Sequence, residues 1–362
     1  MTTTLDTQDP TVLGTFLDPV SEEQPAGESL AEQGLFREIE ELRRADDPSL
    51  PQGVWSHELK RADWPKVARL CRQALEKETK DLRLAAWLTE AWTHMDGLEG
   101  SAKGIAVLRG LCAEFWETVH PLPDGDDLGS RLAPILWLDG KLVQALKQTP
   151  VTEPDDGQDT PQLSWNDWEW ALHFENLKEA DPAAAQEQDT GERVTKDKFQ
   201  ISANLTATDF FERQLARVEQ VEGERAELAE TLDALAGKDA PNLRKVRHIL
   251  ADLSGFLKRT LRQRADSEEL LDEALAEDTA DETEGTTEGG RPGSIRSRAE
   301  AYRLLTLAAD FLMRTEPHSP APYLVQRAVT WGNMTLIELY GELLAGGADL
   351  KSIYRLLGIK ED

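Results

Sequence analysis

The chain has 362 residues, with 40 Lys and Arg against 68 Asp and Glu, and a formal net charge of −28. A surface of that sign repels phosphate backbones and anionic headgroups, which argues against a nucleic-acid binder and against an anionic membrane surface. A hydrophobic fraction of 40% and ten Trp are enough to build a core, so global disorder is excluded as well. Cys71 and Cys112 are too few for a disulfide framework. The N-terminus, MTTTLDTQDP, carries neither a basic region nor an apolar run, and no apolar stretch approaches 18 residues. A cytoplasmic protein with no direct membrane insertion is therefore expected.

Nine of the ten Trp fall between Trp55 and Trp170, which marks the first part of the chain as a Trp-rich unit. Within it, Val67, Leu70, Cys71, Ala74 and Leu75 recur at three- and four-residue steps, the stripe of an amphipathic helix. Leu82 to Met95 is apolar nearly all round, which predicts a helix buried on several sides, with Trp87 and Trp92 as structural residues. Ile105, Leu108, Leu111, Cys112 and Phe115 predict a further helix, preceded by a turn at Gly97 and Gly100 and stopped before Pro121. The Pro- and acid-rich stretch from Thr149 to Pro161 and the apolar-poor stretch from Asp181 to Lys198 read as linker sequence.

The second part begins with a stripe through Phe211, Leu215, Val218, Leu228, Leu232 and Leu235. A second stripe runs through Leu243, Val246, Leu250, Leu253 and Leu257, and the break AGKDAP joins the two as a long antiparallel hairpin. Ala265 to Gly290 holds eleven acids and no Lys or Arg. Its later half cannot bury enough surface to offset its ordering entropy, so a mobile acidic loop is expected at about 276–296. Limited proteolysis should cut there or at 181–198 first, and protection of both stretches would contradict the reading. Ser297 with Glu300 forms a capping box, and Pro317, Pro320 and Pro322 end the helix it opens. Ser319 then caps a helix with Pro320 in its first turn, and Thr335 with Glu338 opens another that closes at Gly346 and Gly347. No stretch alternates at period two. The fold class is all-α, divided as 1–150, a linker region at 151–205, and a second helical domain at 206–362.

No phosphate-binding loop, dinucleotide fingerprint, nucleophile elbow or H-E-x-x-H pattern occurs. His57 and Glu58 begin the last of these, but Arg61 stands where the second ligand is needed. The six His are scattered singly, and Cys71 and Cys112 lie on apolar helix faces with no base placed to lower a thiol pKa. No catalytic, cofactor-binding or metal-binding residue is therefore expected.

Several ordered blocks do stand out. PAGESL (25–30), ADW (62–64), KDLRLAAWLTEAW from Lys80, GLEG from Gly97 and FWETVHPLPDGDD from Phe115 together resemble the ImpA-type N-terminal domain of the TssA-like proteins of the bacterial type VI secretion system. The resemblance covers roughly residues 12–145. EPHSPAPYLVQRAVTWGNM and the ending IYRLLGI look like the second helical domain of the same proteins. The resemblance implies a non-enzymatic cytoplasmic assembly subunit, whose partners are baseplate, tube and sheath proteins and further copies of itself. Part of the family carries a further ring-forming domain; this chain is expected to lack it, which favours a baseplate-side or initiation role over a distal, sheath-capping one.

The helices after Pro320 carry apolar residues on more than one face, which marks Tyr323, Trp331, Leu336, Tyr340, Ile353 and Tyr354 as a candidate self-association surface. The rival functional readings are a helical adaptor outside secretion and an enzyme with an unrecognised acid site. No repeat period of 33–47 residues supports the first, and carboxylates are too abundant to single out the second.

Overall fold

The computed structural model describes residues 10–45, 60–154, 160–181, 194–280, 298–315 and 319–334. Apart from isolated bridges and one 3₁₀ turn, the regular structure among the described residues is α-helix, and the fold is all-α. The chain divides into two units. The first spans residues 1–153, 161–202 and 208–261, and the second the remainder.

In the first unit α1 (Pro10–Leu17), α2 (Gly34–Arg43) and α3 (Trp64–Lys77) surround α4 (Leu82–Phe115). The expected stripe of α3 is its inner face, with Val67, Cys71, Ala74 and Leu75 buried. Asp63 caps that helix by accepting a hydrogen bond from Lys66 N at 3.0 Å.

Helix α4 is two helices, as the turn expected at Gly97 requires. Gly97 has φ 60 and ψ −131, a conformation that side-chain-bearing residues rarely adopt. Thr93 and Ser101, eight positions apart, share a hydrogen bond of 2.9 Å between their hydroxyls, so the chain doubles back there. The two arms touch backbone to backbone. A Cβ on Gly100 would overlap the Trp92 carbonyl, and one on Gly104 would overlap Thr89. Thr89 and Thr93 satisfy their hydroxyls within the helix, donating to Ala85 O at 2.8 Å and to Thr89 O at 2.7 Å. The contact is thus built from glycines and internally bonded hydroxyls, and both arms are buried on several sides, with Leu84, Leu88, Leu108 and Leu111 fully enclosed.

Helix α5 (Gly129–Lys147) packs on α4, as does α8 (Thr208–Ala236). The turn at Gly237 (φ 56) leads from α8 to α9 (Arg244–Ala280), the expected hairpin. The sequence places this hairpin in a second domain at 206–362, whereas its packed part, 208–261, belongs to the first unit. The second arm of α4 buries most of its apolar residues, leaving Glu99, Lys103, Arg109 and Glu114 partly or fully exposed, and α8, with Phe211, Val218, Leu228 and Leu232 buried, packs on it. Arg109 on that arm pairs with Glu224 at 3.0 Å and Glu227 at 3.2 Å on α8.

Residues 151–205 also differ from a linker region, since α6 (Trp165–Ala180) and α7 (Lys196–Leu205) lie within them. Ser164 and Asp167 form a capping box at the start of α6. Trp165, Trp168 and Phe199 gather around Phe256 of α9, at 5.6–5.8 Å between ring centroids. Proline and acid mark the stretches before and between these two helices, and Trp165, Trp168 and Phe199 on the helices supply the packing.

The start of α9 is held in trans. Asp139 of α5 accepts hydrogen bonds from Val246 N at 3.0 Å and Lys245 N at 3.4 Å. Asp139→Ala should therefore cost about 1–2 kcal/mol, the usual cost of a lost cap, measured as a lower denaturant midpoint at unchanged slope.

In the second unit α10 (Arg298–Thr315) packs against α11 (Ala321–Asn333). The ring of Tyr302 fills the place where a side chain on Gly332 would stand. Asp310 accepts from Gln326 at 3.1 Å and Asn204 at 3.3 Å, and Arg264 donates to Ala203 O at 2.7 Å and Thr206 O at 2.8 Å. Ser319 accepts from Ala321 N at 3.3 Å, the local cap expected before α11. Of the expected acidic loop, residues 276–280 form the last turn of α9, and 281–296 lie outside the described residues. The same holds for Ser297, for 316–318 and for the helix expected from Thr335.

Candidate functional site

Three of the distinctive sequence blocks meet in one polar knot. Lys80 N donates to Ala26 O at 2.7 Å, His120 N to Lys80 O at 2.9 Å, and Leu82 N to His120 O at 2.8 Å. Gly27 (φ 69) passes so close to the Glu78 carbonyl that a Cβ would overlap it, and its own carbonyl lies 3.1 Å from His120 Nε2. The fully buried Asp81 carboxylate accepts from Arg83 N at 2.8 Å and Arg83 Nη2 at 2.6 Å. Lys80, also fully buried, donates Nζ to Leu75 O at 2.8 Å, and burial pulls its pKa below the usual lysine value. Arg131, 2% exposed, holds the Val119 and Pro121 carbonyls at 3.3 Å each and lies over Trp116. Lys80 and Arg131 are bonded to backbone carbonyls and Asp81 to Arg83, so the knot fixes two connections in place.

Beside it lies a groove of about 420 Å³ with an aromatic and proline floor. The Arg43 guanidinium sits between Trp87 at 5.3 Å and Trp137 at 4.6 Å, and pairs with Glu90 at 2.6 Å. Arg83 lies over Phe36 at 4.5 Å, and Pro121, Ala133 and Pro134 complete the lining. Sequence reasoning missed this groove because its parts come from α2, α4 and α5 with no shared local pattern.

A polar pocket of about 580 Å³ opens where α4 doubles back, lined among others by His94, Gln148, Thr149, Arg213 and Arg217. His94 stacks on Trp64 at 4.1 Å between ring centroids, and burial lowers its pKa below the usual histidine value. The folded state therefore favours neutral His94, and this contribution to stability is lost as pH falls from the ordinary histidine pKa through the lowered one. A proton NMR titration should give His94 a midpoint below the ordinary histidine value. A midpoint at the ordinary value would contradict the burial.

Cys71 and Cys112 are fully buried, and burial pushes both thiols up, Cys112 to about 12. Neither is a nucleophile at neutral pH. Among the described residues no three His, Cys, Asp or Glu are grouped to hold a metal ion, and no helix is long and apolar enough to cross a membrane.

Of the candidate self-association residues, Tyr323 and Trp331 lie half-buried on α11, with Arg327 4.9 Å above the Trp331 ring. Leu324 beside them is 61% exposed. Leu336, Tyr340, Ile353 and Tyr354 lie outside the described residues.

Among the described residues the fold is all-α, and three of the sequence blocks meet in one structural knot. The family description "ImpA, N-terminal, type VI secretion system" matches residues 17–140. The chain is 27% identical over 333 residues to the type VI secretion system component TssA1 of Pseudomonas aeruginosa, covering 92% of this chain and 94% of that one. It is also similar to the solved N-terminal domain, including the conserved ImpA_N region, of the TssA component from Burkholderia cenocepacia. That match has 32% identity and a TM-score of 0.62, over 73% of this chain and 98% of the other. The chain belongs to the TssA-like family of type VI secretion system components, with an ImpA-type N-terminal domain.

Proposed function

We propose that this chain is a non-enzymatic assembly subunit of the type VI secretion system, binding baseplate, tube and sheath components to initiate or organise their assembly. It works in the cytoplasm as a homo-oligomer, and its self-association surface includes Tyr323 and Trp331. The observation that carries this reading is the likeness to TssA1, which runs through 92% of this chain. A rigid, multi-helix body with several faces is what a scaffold needs to hold partners at set positions.

The test is removal of the gene from cells that carry a fluorescent sheath subunit. Sheath assemblies and secretion of the tube subunit should both disappear, and return with the intact gene. Normal sheath assembly and secretion without the gene would overturn the reading. An affinity-tagged copy should also retain baseplate and sheath proteins from a native lysate, and recovery of neither would contradict the partner assignment.

A further inference from the structure

Helix α5 turns an uncharged face to solvent. Between Gly129 and Leu138 its only charged side chain is the buried Arg131, in a chain that is 30% charged. Gly129, Ala133, Leu136 and Gly140 follow one another at steps of four, three and four, with Ser130 and Trp137 beside them. Gly129, Ser130, Ala133 and Leu136 are exposed, while Trp137 and Gly140 are half-buried. Leu136, 58% exposed, and Leu122, 53% exposed, are the two most exposed large apolar side chains among the described residues of the first unit. Ser130 Oγ donates to Leu122 O at 3.0 Å, which ties Leu122 to the first turn of the helix. A contiguous apolar face of this kind, with a Trp at its edge, is what interfaces present.

The two ends of this face carry opposite charge. At its start Asp124, Asp126 and Asp127 are all exposed, and Asp127 accepts from Gly129 N at 2.8 Å, which holds the acidic turn against the helix. At its far end stand the exposed Lys141 and Lys245, the latter with Nζ 3.8 Å from the place of a Cβ on Gly140. Asp139, the acid at this end, is turned to the first amides of α9, those of Lys245 and Val246. From Gly129 to Gly140 the helix rises roughly 17 Å, so the two charged ends are well separated.

We propose that this face pairs with the same face of a second copy of the chain, the two α5 helices running antiparallel. A two-fold axis between Ala133 and Leu136 lays apolar centre on apolar centre. It also brings Asp124 and Asp126 to the partner's Lys141 and Lys245, once in each direction, as an isologous interface requires. Ala133, small and exposed, then leaves room for the partner's Leu136. A chain of net charge −28 repels its own copies over most of its surface, whereas this face lets two copies meet without setting like charges together. The inference rests on the self-association proposed above and adds to it a surface on the first unit.

The experiment uses the full chain. Ala133→Cys, oxidised with diamide, should give a disulfide-linked dimer on a non-reducing gel, because Ala133 stands beside the axis. Cys71 and Cys112 are buried and do not compete, and Gln73→Cys, exposed on α3, should stay unlinked. In sedimentation velocity Leu136→Lys should weaken the self-association constant about tenfold or more, since it sets a charge in the apolar centre. Asp124→Lys/Asp126→Lys and Lys141→Glu/Lys245→Glu should each weaken it, and all four substitutions in one chain should restore it. Unchanged melting temperatures would show that these exposed substitutions leave the fold intact, and Ala133→Cys supplies the readout if a charge variant melts early. No cross-link beyond that of Gln73→Cys, with self-association indifferent to Leu136→Lys, would overturn the pairing and leave the scaffold reading standing. A wild-type monomer at every concentration would overturn both. Unchanged self-association of Leu136→Lys, with loss of baseplate and sheath proteins from its native-lysate pull-down, would assign the face to another protein and overturn the proposal.

Discussion

Replacing Gly100 by valine is expected to destabilise the first unit by about 3 kcal/mol or more, because the added side chain meets backbone, which cannot move aside as a flexible side chain would. The Trp92 carbonyl occupies the space of a Gly100 Cβ, and Thr89 occupies that of Gly104, so either substitution pries the two arms of α4 apart. Separation also exposes the hydrogen-bonded hydroxyls of Thr93 and Ser101 between them. For a unit of this size the loss amounts to about 6 °C or more in melting temperature by calorimetry. Gly223 of α8 provides the contrast, since nothing lies within 4 Å of a Cβ there. Gly223→Ala should stabilise by about 0.4–1 kcal/mol, because alanine restricts the unfolded chain and meets no neighbour in the folded one. A tolerated Gly100→Val would mean that the arms do not touch as described.

Trp87→Ala should cost about 3–5 kcal/mol, the usual range for truncating a large aromatic in a core. Trp87 is 7% exposed, meets Phe36 edge-on at 5.2 Å between ring centroids, and forms one wall against the Arg43 guanidinium. Its loss empties a large volume and removes half of the aromatic seat of a cation that is itself mostly buried. Trp92 packs edge-on against Phe16 of α1 at 5.9 Å but remains half-buried, so Trp92→Ala should cost less than Trp87→Ala. Thermal melts of the two variants give the comparison directly. An unchanged melt with lost partner binding would instead make either residue an exposed binding anchor.

The apolar stripes of α3, α8 and α9 were legible because a helix that packs on one side must repeat its large side chains at three- and four-residue steps, whatever it packs against. The same holds for the doubling of α4, since Gly97 and Gly100 announce a turn between two apolar runs. The family was legible for a related reason. The blocks around Gly27, Lys80 and His120 make contacts with one another that few other residues could make, and such constraints leave ordered words in the sequence.

Partition into units was not legible in this way. Composition places a boundary near residue 150 because proline and acid gather there, yet the largely apolar second arm of α4 packs against α8 and draws it into the first unit. Likewise Trp165 and Trp168 read as more of the first Trp-rich unit, while the surface they cover, Phe199 and Phe256, lies far along the chain. The groove around Arg43 arises only where three helices converge. Local periodicity depends on the chain's own geometry and is written in the sequence, whereas which helix covers which face depends on distant residues. Only the tertiary structure decides that.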